Sequence, residues 1–495
     1  MPGTAQTLRR NILQGAGNLA GHRSLQVLED LAKGRGVQVY LVGGTVRELA
    51  LGKTAPDLDL AVSAQTLELA RDLARALKGT YVLLDEKERT ARVVWQGEIL
   101  DLTEFRAPTL EEDLQARDFT INAMALALPA ILGKRPLDII DPWEGLADLA
   151  RGLIRVVRPQ NFREDPLRLL RAYRFAATHD FQLTPETAAA VPANLPEFPK
   201  VAGERVRQEL FILLTAPRAA AVLAQMEKTG LLTRIFPELA EMKGVEQDGF
   251  HHLDVFHHSL AAVAHLEELL AAPQNYFGDL AAEFPHYLQS PGQTALLKLA
   301  ALFHDAGKPQ VQDRRTDPDR YTFYHHERVG VELFTAAALR LRFSQAEIKT
   351  VTHLITLHMR PFLLMPAFRE GELTTRALGR LVRAARPDLP GLFLLAMGDS
   401  LAGQGPQKPG DVEKVLADLA DTAYHFLKER LEPQELEPRL LTGHDLIKVL
   451  GLEPGPRFRE ILTAVEEAQW EGAIQSRGEA LELARSLAGE EGPEQ

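Results

Sequence analysis

Two aspartates separated by one residue open an apolar run, Asp57-Leu58-Asp59-Leu60. Side chains alternate between the two faces of a β-strand, so a strand here would place both carboxylates on one face. Two close carboxylates repel each other, and a hard cation such as Mg²⁺ relieves that repulsion while keeping coordination positions for water and phosphate oxygens. The spacing therefore predicts a Mg²⁺ site for phosphoryl transfer. A solvated pair of aspartates beside a turn would give the same pattern.

A pair of glycines precedes these aspartates. The run VQVYLVGG, residues 37–44, is typical of a buried strand and ends at Gly43 and Gly44. Backbone without side chains can approach a triphosphate closely and direct its N–H groups at it. A short helix over residues 45–52 would join the glycines to the aspartate strand, which favours one site built from both.

Further motifs follow in a fixed order, and their order is more specific than any one of them. The set consists of LVGGTVREL (41–49), DLDL (57–60), ARDFTINAMA (116–125), DPWEGLADL (141–149) and REDPLRLLRAYRFA (163–176). This set resembles the class II tRNA nucleotidyltransferases, which rebuild the CCA 3′ end of tRNA, with the bacterial poly(A) polymerases as close relatives. The resemblance spans residues 37–177.

The resemblance implies roles for individual residues. Asp57 and Asp59 would be the catalytic residues and would hold Mg²⁺, and Asp101 would be a third carboxylate as in the wider polymerase superfamily. Asp118 would contact the ribose hydroxyl. The implied nucleotide-binding residues are Gly43, Gly44, Arg47, Arg117, Asp118, Asp165, Arg168, Arg171 and Arg174.

The sequence departs from the family pattern at two positions. Ala116 stands where the family usually has a second arginine, and Glu144 stands where it usually has a glycine. Neither position belongs to the metal carboxylates. These departures therefore concern nucleotide contacts and not the predicted chemistry.

A basic segment follows the head and contains the predicted base-reading pair. Residues 151–174 hold seven arginines against two acidic residues. Asp165 and Arg168 are three residues apart, so on a helix they would face one way. A carboxylate only accepts and a guanidinium only donates, which matches the donor and acceptor edges of cytosine and adenine and leaves uracil and guanine with unpaired groups. Asp165 before Pro166 is also a typical helix N-cap, and both interpretations are compatible.

The identity of the added nucleotide depends on a short segment. CCA-adding members of the family carry a flexible loop before the RDFT motif, whereas here only APTLEEDLQA separates Arg106 from Arg117. Within the family, loss of this loop goes with CC addition. The prediction is therefore CC addition from CTP, with full CCA addition and A addition, which use ATP, as alternatives.

A second set of candidate ligands lies far downstream. His258, His304, Asp305 and Asp399, with His326 and His358 as further candidates, resemble the ordered residues of HD metal-dependent phosphohydrolases. Imidazole with carboxylate suits a divalent transition metal, which would activate water against a phosphoester. His257, His325 and His353 are nearby alternates. A degenerate HD fold kept for its helices is the other interpretation.

The elements that must position these residues form an α+β arrangement. The succession β-α-β-α-β-β-β predicts a small α/β nucleotidyltransferase head of the polymerase-β type, followed by an elongated all-helical body with an HD-type domain. The predicted segments are an N-terminal extension (1–35), the head (36–150), a nucleotide- and RNA-binding neck (151–235), the HD domain (236–402), a linker helix (403–434) and a C-terminal RNA-binding tail (435–495).

Composition limits the function classes. The 495 residues carry a net charge of −12 and no cysteine, which excludes disulfides and thiolate metal sites. No apolar run is long enough for a membrane span and residues 1–17 lack the apolar run of a secretion signal, so we expect no membrane partner and a cytoplasmic location. The expected partners are tRNA, CTP and ATP. Three rivals stay open: a poly(A) polymerase, an HD hydrolase with an RNA-binding head, and a non-catalytic RNA-binding protein.

Overall fold

The computed structural model describes residues 3–290, 292–316, 319–433 and 440–489. The chain forms two compact units, Met1–Ile235 and Phe236–Gln495. The predicted C-terminal tail lies outside the described residues at positions 435–439 and 490–495. No helix in the described ranges is long and apolar enough to cross a membrane.

A seven-stranded mixed sheet forms the core of the first unit, in the order β3-β4-β5-β2-β1-β6-β7. The central pair, β2 and β5, is parallel, and the other neighbours are antiparallel. The predicted polymerase-β-type head is confirmed by this sheet. The strands are β1 (Val39–Val42), β2 (Leu58–Val62), β3 (Thr80–Asp85), β4 (Thr90–Trp95), β5 (Glu98–Glu104), β6 (Ala125–Ala127) and β7 (Ile139–Ile140).

Helices cover the sheet and continue into the neck. The predicted N-terminal extension contains a helix over residues 5–19, in which Leu8, Ile12 and Ala16 recur every four residues and are buried. A short parallel pair, β8 (Leu153–Ile154) and β9 (Gln182–Leu183), lies in the neck. The helices are α1 (Ala5–Leu19), α2 (Arg23–Arg35), α3 (Gly43–Ala50), α4 (Thr66–Leu77), α5 (Leu110–Gln115), α6 (Leu128–Ile131), α7 (Gly145–Arg151), α8 (Asn161–Glu164), α9 (Leu167–His179), α10 (Pro185–Asn194), α11 (Gly203–Thr215), α12 (Ala219–Lys228) and α13 (Leu231–Ile235).

The second unit is helical apart from the hairpin of β10 (Asp313–Thr316) and β11 (Asp319–Thr322). The helix over residues 389–402 is buried on every side because nearly all of its residues are apolar or small. The helices are α14 (Val255–Ala271), α15 (Phe284–Tyr287), α16 (Gln293–Phe303), α17 (Lys308–Val311), α18 (His326–Arg340), α19 (Gln345–Leu357), α20 (Arg360–Arg369), α21 (Thr375–Ala385), α22 (Leu389–Ala402, the central helix), α23 (Val412–Phe426), α24 (Gly443–Lys448), α25 (Pro456–Trp470) and α26 (Arg477–Gly489). The predicted all-helical body with an HD-type domain agrees with this unit apart from the hairpin.

Candidate nucleotide and metal sites

Three carboxylates lie on one face of the sheet in the first unit. Asp59 on β2 stands directly opposite Asp101 on the parallel strand β5, and Asp101 stands opposite Arg92 on β4. Arg92 donates to both oxygens of Asp101, at 2.7 and 2.8 Å. Its guanidinium also lies 3.6 Å from Oδ2 of Asp57, which immediately precedes β2. The sequence analysis missed Arg92, which compensates part of this negative charge.

The two glycines begin α3 beside Asp59. Gly43 has φ +62°, and a Cβ at Gly44 would lie 3.0 Å from Oδ2 of Asp59. The hydroxyl of Thr45 accepts from the backbone N–H of Asp59 at 2.7 Å and donates to the carbonyl of Asp57 at 3.2 Å, so it fixes the helix to the strand. Burial raises the pKa of Asp59, Arg117 opposes the shift and Asp101 adds to it. A divalent cation beside Asp59 would favour its ionised form.

A cavity of about 480 Å³ opens above this face. Its charged lining consists of seven arginines and four aspartates. The arginines suit an anionic ligand, and the aspartates suit a cation bound together with it. Asp57 is not part of the lining. The lining residues are Val42, Gly43, Gly44, Arg47, Asp59, Leu60, Asp101, Thr103, Arg106, Arg117, Asp118, Asn122, Asp165, Arg168, Arg171, Arg174, Phe175 and Arg205.

Arg117 is held by a buried acid that the sequence analysis did not single out. Asp113 accepts from Nε and Nη2 of Arg117 at 3.2 and 3.0 Å, and its other oxygen accepts from the backbone N–H of Arg106 at 3.0 Å. The arginine Nη1 lies 3.2 Å from the position that a Cβ at Gly43 would take. The segment before the RDFT motif is therefore anchored to the sheet and to the cavity wall.

Asp118 is the centre of an internal hydrogen-bond network. It accepts from Nε and Nη2 of Arg171 at 3.0 and 2.7 Å, and from the amide of Asn122 at 2.9 Å. Burial alone would raise the pKa of Asp118, but Arg171 and Asn122 hold it well below its ordinary value. Glu209 accepts from Arg171 at 3.2 Å and from Arg174 at 2.8 Å. These side chains are thus preorganised in fixed positions on the cavity wall.

Arg47 lies between the glycine helix and the neck. It is buried, donates to Asn122 and Glu48, and stacks over the ring of Phe175 at 4.9 Å. Arg174 covers the same ring at 3.6 Å. Arg171 lies 5.5 Å from the same centroid, so three guanidiniums contact one aromatic side chain that lines the cavity.

The side chains of the predicted base-reading pair, Asp165 and Arg168, each bond a different partner. Asp165 and Arg168 both line the cavity, but Asp165 forms its ion pair with Arg205 of α11, at 3.2 and 2.8 Å. Arg168 donates to the backbone carbonyl of Asn161 at 3.2 Å. Asp165 also accepts from the backbone N–H of Leu167 at 3.3 Å, consistent with a role at the start of α9.

The DPWEG motif forms a closely packed turn at the start of α7. Asp141 accepts from the backbone N–H groups of Gly145 and Leu146, at 2.7 and 3.0 Å, at the start of α7. A Cβ at Gly145 would lie 2.2 Å from the carbonyl oxygen of Thr120. Glycine is required there by close packing against the segment that follows Asp118.

A buried cluster of histidines and aspartates lies within the second unit. Nε2 of His258 and of His304 lie 3.7 and 3.2 Å from Oδ2 of Asp305, and Oδ1 of Asp399 lies 2.9 and 3.5 Å from the same two nitrogens. His251 brings a further ligand atom within 4.8 Å of those of His258 and Asp399. The sequence analysis missed His251, although the His251-His252 dipeptide seven residues before His258 was a signal.

Two more histidines face the other oxygen of Asp305. Nε2 of His326 and of His358 lie 3.3 and 3.8 Å from Oδ1 of Asp305, and 3.1 Å from each other. Burial, together with the nearby histidines 326 and 304, lowers the pKa of His358 to about 3, so its ring is neutral. The alternates lie elsewhere: His257 is exposed against Asp254, His325 is exposed, and His353 binds Asp388.

Comparison with known proteins identifies three domain types along the chain. Residues 39–155 match the poly A polymerase head domain, residues 180–243 the probable RNA and SrmB-binding site of polymerase A, and residues 255–422 the HD domain. The A-adding tRNA nucleotidyltransferase of Deinococcus radiodurans is 37% identical over 450 residues, covering 89% of this chain and 93% of that protein. The chain belongs to the tRNA nucleotidyltransferase family.

Other relatives support the same assignment. The CC-adding tRNA nucleotidyltransferase of Thermus thermophilus is 35% identical and covers 89% of this chain and 92% of that protein. The solved complex of a CCA-adding enzyme with CTP shares the fold, with a TM-score of 0.64 and 21% identity over 96% of this chain and 98% of that one. This tRNA nucleotidyltransferase is therefore an enzyme, and the predicted family resemblance is confirmed. The two rival interpretations that lack nucleotidyl transfer, an HD hydrolase with an RNA-binding head and a non-catalytic RNA-binding protein, are excluded. The relatives include A-adding and CC-adding enzymes, and the solved structure is that of a CCA-adding enzyme.

Proposed function

We propose that this tRNA nucleotidyltransferase adds CMP from CTP to the 3′ end of tRNA and stops after the second C. The observation that supports CC addition is that the segment between β5 and Arg117 is short and held by hydrogen bonds. Its helix α5 is fixed by a capping box, in which Thr109 and Glu112 bond each other's backbone N–H groups, and by the buried Asp113. A segment fixed at both ends supplies no mobile loop for re-aiming the base-reading groups from cytosine to adenine.

The residues around the cavity fit Mg²⁺ and a triphosphate. Asp57 and Asp59 would hold the metal, with Asp101 beside them, and the bound metal would neutralise phosphate charge and lower the pKa of the attacking hydroxyl. The first turn of α3 leaves room for phosphate oxygens because Gly43 and Gly44 carry no side chain. The arginines at 117, 171 and 174 would bind and orient the anionic substrate.

Base selection would come from Asp165 and Arg168, which also line the cavity. The carboxylate accepts from the cytosine amino group, and the guanidinium donates to the ring acceptors. Uracil would present a carbonyl to the carboxylate and leave buried groups without partners, at a cost of about 1–3 kcal/mol. Because Arg205 fixes the position of Asp165, we expect the site to accept cytosine and not to readjust for adenine.

The relatives leave A addition as the second candidate within the family. The Deinococcus radiodurans protein is A-adding at 37% identity, whereas the Thermus thermophilus and Geobacter sulfurreducens proteins are CC-adding at 35% and 31%. These identities are too close to decide between the activities. The anchored segment is therefore the feature on which the CC assignment rests.

The test uses three tRNA substrates that end before CCA, after one C, and after CC, each with CTP, ATP or both. The proposal expects extension by two, one and no nucleotides, with no further extension when ATP is present. Addition of A to the CC-ended substrate, or a full CCA end on the first, would overturn it. Asp59→Asn serves as the inactive control.

A second activity is favoured by the buried cluster of the second unit. We propose that the HD domain binds a divalent transition metal and hydrolyses phosphate esters at RNA ends. His258, His304, Asp305 and Asp399 converge there, and neutral imidazole with carboxylate is the donor set of such metals. Phosphate release from a 2′,3′-cyclic nucleotide and from a 3′-phosphorylated oligonucleotide would test it, with His304→Ala as the variant expected to lose turnover. A cytoplasmic location stays a prediction from the sequence.

A further inference from the structure

Two exposed aromatic side chains flank the HD cluster. Phe250 is 45% exposed and Tyr324 is 59% exposed, and no other phenylalanine, tyrosine or tryptophan is exposed among the residues whose burial the structure describes. Phe250 immediately precedes His251, and Tyr324 lies two residues before His326. Consecutive Cα atoms are about 3.8 Å apart, so each ring is tied by a very short length of backbone to a histidine of the cluster.

The chemistry of these two side chains indicates a ligand with aromatic rings of its own. Phenylalanine is among the residues most often fully buried, so an exposed ring beside a buried ligand cluster is informative. Unpaired nucleic-acid bases stack on such rings whatever their sequence. We propose that Phe250 and Tyr324 are stacking platforms for the last bases of a single-stranded RNA, whose end is the substrate of the HD domain. The inference rests on the proposed phosphohydrolase activity and deepens it, because it assigns the residues that would select an RNA end over other phosphate esters.

Positive charge accompanies the ring of Tyr324. The guanidinium of Arg315 lies 5.4 Å from the centroid of that ring. Arg315 on β10 stands directly opposite Arg320 on β11. Like charges at directly opposite positions of a hairpin repel each other, and a phosphate group beside these positions would relieve the repulsion. The hairpin thus combines an aromatic ring with arginine, which is the combination that binds single-stranded nucleic acid.

The backbone that carries Phe250 is fixed although its ring is exposed. The N–H of Gly405 donates to the carbonyl of Phe250 at 2.8 Å, and the N–H of Gln407 donates to the carbonyl of Gly249 at 2.9 Å. A Cβ at Gly405 would lie 2.3 Å from the carbonyl oxygen of Gly249, so the two loops are in close contact. The ring of Phe250 is therefore presented to solvent from a fixed backbone.

The hairpin and the segment that carries the phenylalanine contact each other. The side-chain amide of Gln312, the residue before β10, donates to the backbone carbonyl of Glu246 at 3.0 Å. The next residue, Gln247, accepts from Nζ of Lys308 at 2.7 Å, and the same Nζ lies 2.6 Å from Oδ2 of Asp305. Both platforms are therefore linked through one short segment to the aspartate at the centre of the HD cluster.

The test measures stacking on the full chain and does not depend on turnover. The probe is a short single-stranded RNA that ends in a 3′-methylenephosphonate, which cannot be hydrolysed and offers no 3′-hydroxyl to the head. It carries 2-aminopurine as its last base, whose fluorescence is quenched when the base stacks on an aromatic ring. The Zn²⁺-loaded protein should quench this fluorescence. Phe250→Leu and Tyr324→Leu should each raise the Kd of the probe about tenfold and remove most of the quenching.

Leu339→Ala is the matched control for the loss of an exposed apolar side chain. Leu339 is 52% exposed in α18 and lies thirteen residues beyond His326, which is about 20 Å along the helix. Both the Kd and the quenching should stay unchanged in this variant. Arg315→Gln supplies a second readout, since the loss of one phosphate contact should reduce the slope of log K against log salt concentration by about 0.7.

The outcomes separate this inference from the activity on which it rests. No quenching by the parent protein, or an unchanged Kd in both ring variants, would overturn the inference even if phosphate is released from RNA ends. An effect of Arg315→Gln without any effect of the ring variants would also refute it, and would indicate an acidic protein partner instead. Stacking without phosphate release from a hydrolysable RNA would overturn only the proposed phosphohydrolase activity. Circular dichroism identifies a ring variant that fails to fold, and the other ring variant then decides.

Discussion

Asp165 and Arg205, forty residues apart, form an ion pair with two contacts at the wall of the nucleotide cavity. The carboxylate that the sequence assigned to base reading is therefore oriented by a residue from another helix. Arg168, its neighbour in the motif, is instead fixed by the carbonyl of Asn161. If Asp165 reads the base as proposed, base selection would depend on Arg205, a group that the motif does not contain.

Replacing Arg205 by alanine should weaken discrimination between CTP and UTP by about tenfold, equivalent to about 1.4 kcal/mol. The carboxylate of Asp165 would then be free to rotate, and its preference for an amino donor would decrease. The ratio of kcat/KM for the two nucleotides measures this. Gln208→Ala, at an exposed position of the same helix, is the control. An unchanged ratio in the Arg205 variant would mean that the pair is only structural.

Asp59→Asn should lower kcat for nucleotide addition by about a thousandfold, equivalent to about 4 kcal/mol, because the metal loses a charged ligand. The fold should persist, since the burial that raises the pKa of Asp59 penalises the charged form and not the amide. Single-turnover incorporation of CMP measures the effect. Glu86→Gln, in the exposed turn between β3 and β4, should retain full activity. Retained activity in Asp59→Asn would contradict the predicted metal role.

Gly145→Ala should destabilise the first unit by about 3 kcal/mol, because the new Cβ would lie 2.2 Å from the carbonyl oxygen of Thr120 and backbone must move. Urea denaturation followed by fluorescence measures the shift. Gly17→Ala is the matched control, since Gly17 lies in α1 with no atom within 4 Å of the new Cβ. That substitution should stabilise the protein by about 0.5–1 kcal/mol. Equal effects of both substitutions would refute the packing argument.

His353 should make stability depend on pH. The hydrogen bond that Nδ1 of His353 donates to Asp388 raises the pKa of His353 above its ordinary 6.5, and its other ring nitrogen lies 2.7 Å from the carbonyl of Ala384. A raised pKa in the folded state means that this contribution is complete below about pH 6.5 and is lost as the pH rises through the folded value. The Tm difference between wild type and His353→Gln should therefore shrink between pH 6 and pH 9. A constant difference over that range would contradict the assignment.

The sequence by itself determined the features that depend on short separations along the chain. The alternation in DLDL and the paired glycines indicated a phosphoryl-transfer site, because neighbours within one strand have fixed relative directions. The ordered set of motifs, through its resemblance to the tRNA nucleotidyltransferases, implied most lining residues of the cavity. The HD residues were also recognisable, since their order survives in the sequence.

The tertiary structure alone decided which of these groups meet. Arg92 reaches Asp101 and Asp57 through strand register, Asp113 anchors Arg117, and Arg205 forms the ion pair with Asp165. The histidines around Asp305 are its neighbour His304 and three residues that are distant in sequence, His258, His326 and His358. Such contacts follow from how apolar faces pack and from the desolvation cost of buried charge, and neither is encoded in the spacing of a single motif.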